Sequence, residues 1–207
     1  LGLRAINVES PGELERIEAI AARLGVVTRV AIRVNPDIDA GTHPHISTGL
    51  KINKFGVPTD VARELSASIA KRPHLKLVAI HVHVGSQITS LAPLRSAAAS
   101  LAQLATELDA RGSTLEYLDL GGGLGISYDG SDVLSAHEYV TALVDEVRGK
   151  PVTGAWITGL WRALARGQAG DATSLGLVVT RPGDDTGAVD QIADLDPLGM
   201  QQRPMPN

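Results

Sequence analysis

Four stretches of branched and apolar residues recur along the first 148 residues, and each is followed by a segment with helical spacing. They are Leu3–Val8, Val26–Val34, Leu75–Val84 and Leu115–Leu120. Their apolar residues run on rather than alternate with polar ones, the pattern of strands buried on both faces beneath helices. The segment after the first strand opens with Ser10 as N-cap, Pro11 at the first helical position and Glu13 as capping-box partner. Leu14, Ile17, Ile20, Ala21 and Leu24 then share one helical face, and Gly25 stops the helix. Val57–Lys71, Leu91–Arg111 and Ala136–Arg148 read as three further helices. Alternating parallel strands and helices define an α/β chain. Four consecutive units are half of an eight-stranded barrel or most of a doubly wound sheet, and the pattern alone does not choose between them.

Composition narrows the function. With 207 residues, 43% hydrophobic and 20% charged, the chain can bury a substantial core. A net charge of −4 leaves no footprint for nucleic acid or an anionic membrane. Cysteine is absent, so disulfides, thiolate ligands and thiol nucleophiles are all unavailable, as suits a cytoplasmic protein. No apolar run reaches the length of a membrane span. The chain opens on Leu1 without a Met or a signal-peptide pattern, as though taken from the middle of a domain. Past Lys150 neither Glu nor Lys recurs. Trp156, Ile157, Leu160, Trp161 and Leu164 could share a helical face, and from Gly167 onward the sequence reads as loop. Residues 149–207 are therefore expected to form an atypical tail, disordered or translated out of frame, after a domain spanning 1–148.

The strongest local signal is Ala79-Ile80-His81-Val82-His83-Val84-Gly85-Ser86-Gln87. At strand periodicity His81 and His83 point to one face, and Gly85-Ser86 marks the carboxyl end of the strand. Ligands of parallel α/β folds bind at that end, where an imidazole can lie on an aromatic cofactor, ligate a metal or shuttle protons. Two core histidines satisfied by backbone groups are the plainer alternative. A second signal is Tyr117-Leu118-Asp119-Leu120 running straight into Gly121, Gly122 and Gly123. Such a turn exposes backbone N–H groups that can wrap a phosphate. It lacks the spacing of a dinucleotide fingerprint and the lysine of a P-loop. Asp119 reads mainly as a structural hydrogen-bonding carboxylate. A third is Arg33-Val34-Asn35-Pro36, followed by the polar loop His43 to Gly56. Arg33, near a strand end, suits an anion or a ligand ring as well as an ordinary ion pair. Lys54 follows a polar loop rather than a rigid strand, a poor place for a catalytic amine.

Together these stretches resemble the fold-type III, alanine racemase-like enzymes that use pyridoxal 5′-phosphate, and among them the diaminopimelate decarboxylases. The resemblance rests on Val34-Asn35-Pro36, His43-Pro44-His45-Ile46-Ser47-Thr48-Gly49, Asn53-Lys54-Phe55-Gly56, His81–Gln87 and Leu118–Tyr128. It covers residues 1–148 and implies part of a TIM (β/α)8 barrel, about four βα units, without the family's C-terminal β-domain. By position, His83 resembles the residue that stacks on the cofactor ring. Ser86, Gly121, Gly122 and Gly123 resemble its phosphate cradle, and Arg33 a basic residue near it. The implied reaction is decarboxylation of meso-2,6-diaminopimelate to L-lysine, in an enzyme that is a homodimer when intact.

Two family features have no match. The Schiff-base lysine belongs to the first barrel strand, upstream of Leu1, so no catalytic residue is assigned. The Glu-Pro-Gly-Arg segment expected after Arg148 is replaced by Gly149-Lys-Pro-Val-Thr-Gly-Ala-Trp-Ile-Thr158. The chain alone is thus expected to be inactive and, with open sheet edges, poorly stable or prone to aggregate. Two other readings remain. In a metal-dependent barrel hydrolase, His81, His83 and Asp119 would hold a metal that activates water. In a non-catalytic relative, the cofactor would bind without turnover.

Overall fold

A computed structural model describes residues 3–38, 55–127, 133–148, 155–157 and 175–177. Its elements alternate in chain order: β1 (Ile6–Val8), α1 (Pro11–Leu24), β2 (Thr28–Asn35), β3 (Val57–Pro58), α2 (Thr59–Ile69), β4 (Leu75–His81), α3 (Leu91–Ala110), β5 (Tyr117–Asp119), α4 (Ala136–Val147), β6 (Ala155–Ile157) and β7 (Leu175–Leu177). One sheet runs β1-β2-β4-β5-β6-β7, with β3 paired to the end of β2. Every pairing is parallel except the antiparallel β6–β7. The βα expectation is met: this is the parallel sheet with alternating helices of a partial barrel domain.

Local chemistry explains the helix ends. Ser10 Oγ accepts from the Glu13 N–H at 3.2 Å. The Glu13 carboxylate takes the Glu9 N–H at 2.8 Å, one residue earlier than a standard capping box uses. Ser135 and Glu138 form the full reciprocal box on α4. Gly25, at φ 66°, closes α1 in the left-handed conformation that lacks a side-chain penalty. The helix expected from Val57 starts instead at Thr59. A residue before proline is pushed out of helical space, so Val57 and Pro58 extend and pair with Val34 and Asn35.

The two faces of the sheet do different work. Val30, Ile32, Val34, Ile80 and Leu118 face the helices and join one core with Leu65, Leu101, Leu104, Leu108, Tyr139 and Leu143. The opposite face carries a smaller cluster of Ala31, Val78, Ala79 and Tyr117. Register stacks this second face in rows. Ala31, Ala79 and Tyr117 are in register, and two residues on so are Arg33, His81 and Asp119. The polar row lies at the carboxyl ends of the strands, above an apolar one. At the amino-terminal end, Arg29 grips Glu116 through Nη1 and Nη2, at 2.9 and 2.5 Å, and Lys76 adds a third contact at 3.1 Å.

Two expectations for the tail change. Ala155–Ile157 is not helical but a strand, parallel to β5, with Trp156 in register with Asp119. Leu175–Leu177, expected as loop, pairs with it. The helical reading spanned Trp156 to Leu164, of which 158–164 lie outside the described residues; at 155–157 an available sheet edge offers the backbone its hydrogen bonds. The remaining residues of 149–207 lie outside the described residues, as do His43, His45 and Lys54.

Candidate functional site

The site forms where the chain leaves β4 and β5. Sequence reasoning extended β4 to Val84, but the strand ends at His81. The final rung is the Val82 N–H donating to Asp119 O at 2.9 Å. Beyond it the partner chain turns away into the glycines, so His83 stands on a loop facing that turn. Gly121 and Gly123 take φ of 69° and 112°. A Cβ on Gly121 would lie 2.2 Å from the Val82 carbonyl oxygen, and one on Gly123 would lie 2.1 Å from that of Gly85. The two loops thus touch backbone to backbone, which only glycine permits.

They are also bonded together. The Ile88 N–H donates to Gly123 O at 2.8 Å, and the Gly125 N–H to Ile88 O at 2.9 Å. Gln87 adds a clamp that sequence reasoning missed. Its Oε1 accepts from the Ile126 N–H at 3.1 Å and its Nε2 donates to Ile126 O at 3.2 Å. Gln87 itself sits at φ 57°, outside the usual range for a side-chain-bearing residue. Only the tertiary approach of the two loops reveals that role; in the sequence it is an unremarkable Gln after Gly85-Ser86.

Side chains from the polar row engage the turn. Asp119 Oδ1 accepts from the Gly121 N–H at 3.0 Å in a buried bond. Its Oδ2 lies 3.1 Å from His81 Nδ1, too bent for a regular hydrogen bond. His83 Nδ1 accepts from the Gly122 N–H at 3.3 Å. An acceptor Nδ1 makes this imidazole a neutral ring with its proton on Nε2. The electrostatics agree: burial pushes the His83 pKa below its ordinary value, Arg33 and His81 push it further, and Asp119 only partly opposes them.

Of the cradle glycines, Gly121 and Gly122 therefore spend their N–H groups on side chains. Among the described residues the Gly123 N–H has no such partner, and Ser86 follows Gly85, whose carbonyl packs against Gly123. Arg33 is brought into the row beside His81 but is already ion-paired with Glu9 at 2.5 Å. Its guanidinium also lies 5.2 Å from the centre of the Phe55 ring. Glu9 takes the Gly56 N–H as well, at 3.3 Å, tying the end of β1 to the residues before β3. Among the described residues no three His, Cys, Asp or Glu side chains converge to hold a metal ion. No described helix is long and apolar enough to cross a membrane.

The family described as "Pyridoxal-dependent decarboxylase, pyridoxal binding domain" matches residues 1–154. A diaminopimelate decarboxylase of Pseudomonas aeruginosa is 44% identical over 153 residues, which are 74% of this chain and 37% of that protein. One from Neisseria meningitidis is 48% identical over 142 residues, 69% of this chain and 35% of that protein. Among solved structures, the Helicobacter pylori diaminopimelate decarboxylase complexed with L-lysine superposes with a TM-score of 0.68 at 42% identity, covering 74% of this chain and 38% of that one. The chain therefore spans little more than a third of the length of the relatives it matches.

Proposed function

The chain belongs to the pyridoxal-dependent decarboxylase family, and from that membership we propose that the strand-end site binds pyridoxal 5′-phosphate for decarboxylation of meso-2,6-diaminopimelate to L-lysine. The observation that carries this reading is the junction of the two loops. It sets a neutral imidazole, His83, beside a glycine turn whose Gly123 N–H points to no other described group. The residues fit the cofactor's chemistry. His83 offers a flat, uncharged face to an aromatic ring. Ser86 and the Gly123 N–H offer donors to a phosphate. Arg33, the cation of the polar row, offsets the phosphate charge even while paired with Glu9.

When bound, pyridoxal 5′-phosphate supplies the electron sink for the pair released as carbon dioxide leaves. The protein's part is to fix the ring, hold the phosphate and keep the site shaped. The homologous decarboxylases, 44% and 48% identical, support the choice of substrate. A cytoplasmic homodimer is the assembly proposed for the whole protein, supported by the family resemblance.

Equilibrium dialysis of the 207-residue chain against pyridoxal 5′-phosphate and against pyridoxal tests the reading. Retention of the phosphorylated form, with the unphosphorylated one held more weakly and inorganic phosphate competing, is expected. Equal affinity for the two would remove the glycine turn from the site, and binding of neither would overturn the proposal.

A further inference from the structure

Asp119 is a buried carboxylate that the cofactor reading leaves without a task, and its surroundings supply one. It is 9% exposed, opposite the 7% exposed His81 in register on β4. Its Oδ1 holds the Gly121 N–H, and the next amide, Gly122, donates to His83 Nδ1. The turn and the ring are in close contact as well, since a Cβ on Gly121 would stand 3.1 Å from His83 Nδ1.

We propose that Asp119 is a positioning residue whose carboxylate fixes the Gly121–Gly122 turn so that the Gly122 N–H holds His83 in one tautomer and one ring orientation. An imidazole has no intrinsic preference strong enough to do this on its own. Turning the ring over exchanges Nδ1 for a carbon and leaves the Gly122 N–H without its acceptor. Placing the proton on Nδ1 sets donor against donor. Both alternatives are disfavoured only while the Gly122 N–H stays where it is. Gly122 carries no side chain to anchor it, so its amide is only as fixed as the turn that begins at Gly121. The buried bond from Asp119 is the side-chain anchor of that turn. Two of the three glycine N–H groups thus serve the histidine, and one is left for a ligand.

The consequence for the cofactor rests on the reading above: the face that His83 presents to the ring is set from β5, one residue row beneath the turn. The clamp itself is tested without any ligand. Long-range nitrogen–proton correlation spectra of the His83 ring, with amide exchange at Gly121 and Gly122, are recorded on the full chain as wild type, Asp119→Ala and Asp119→Asn. The wild type is expected to show one tautomer, protonated at Nε2, with both amides protected. Asp119→Ala lowers the tautomer ratio about threefold to tenfold and speeds exchange of both amides, the scale of one lost hydrogen bond. Asp119→Asn keeps an oxygen in place of Oδ1 and restores both signals.

A folded Asp119→Ala chain with an unchanged His83 spectrum overturns the proposal, as does a wild-type His83 protonated at Nδ1. If Asp119→Ala does not fold, Asp119→Asn decides: retained tautomer and protection support the clamp, and their loss overturns it. Adding pyridoxal 5′-phosphate to the same samples separates the two ideas, since failure to bind sinks the cofactor reading and leaves the clamp standing.

Discussion

Replacing Tyr139 by Phe removes one oxygen from the interior beneath the sheet. Tyr139 lies on α4, is 0% exposed, and its hydroxyl has no hydrogen-bond partner among the described residues. Burial pushes its pKa well up, and the Asp119 carboxylate pushes it the same way, so the phenol stays neutral. A hydroxyl brought out of water without a partner costs about 1–3 kcal/mol. Against this, the void left by one oxygen costs only a few tenths, about 24 cal/mol for each Å³. Tyr139→Phe is therefore expected to raise stability by about 1–2 kcal/mol. For a chain of this length that moves the melting temperature upward by roughly 2–8 °C. Urea denaturation followed by far-ultraviolet circular dichroism reads the difference directly. Tyr139→Ala, which empties the same space, should lose about 3–5 kcal/mol and shows that the position is truly in the core. A Phe variant less stable than wild type by 1 kcal/mol or more would refute the reasoning, because it would mean that the hydroxyl has a bonding partner.

The remaining predictions concern the two ends of the sheet. Gly123→Ala forces a Cβ to 2.1 Å from the Gly85 carbonyl oxygen at φ 112°, so it should cost at least about 2 kcal/mol in a urea titration and abolish retention of pyridoxal 5′-phosphate. His83→Ala should leave the fold intact and weaken that retention by a few-fold to about tenfold, the worth of one aromatic contact, as read by equilibrium dialysis. At the opposite end, Arg29 and then Lys76 hold the Glu116 carboxyl down from its ordinary 4.5 to about 2. A depressed carboxyl stabilises the fold above its unfolded pKa, and that contribution is lost as pH falls from about 4.5 toward 2. With Glu116 31% exposed, solvent screening limits it to the order of 1 kcal/mol, and Glu116→Gln should flatten this part of a stability-against-pH curve.

Much of the frame was legible from side-chain pattern. Ser10, Glu13 and Gly25 announced α1, because caps act within a few residues of chain. The continuous apolar strands announced a parallel sheet covered by helices. His83, Ser86 and the three glycines were marked as one neighbourhood only through strand-end position and family resemblance. Errors clustered where a neighbour decides the outcome. Val57–Pro58 became a strand because β2 offered it an edge, and Ala155–Ile157 because β5 did.

What the sequence determined by itself is the order of βα units, the capped ends of α1 and the residue types available at the strand ends, all set by local sterics and spacing. Only the tertiary structure decided how those residues are used. Arg33, His81 and Asp119 are 48 and 38 residues apart in the chain, and become one row through parallel register. That register, together with the backbone contacts of Gly121 and Gly123, gives Asp119 the Gly121 amide and His83 the Gly122 amide. Hydrogen bonds between loops depend on distances that no one-dimensional pattern encodes, so Asp119, read as a structural hydrogen-bonding carboxylate, gains its place beside the His83 turn, and Gln87 its role, only when the two strand ends meet.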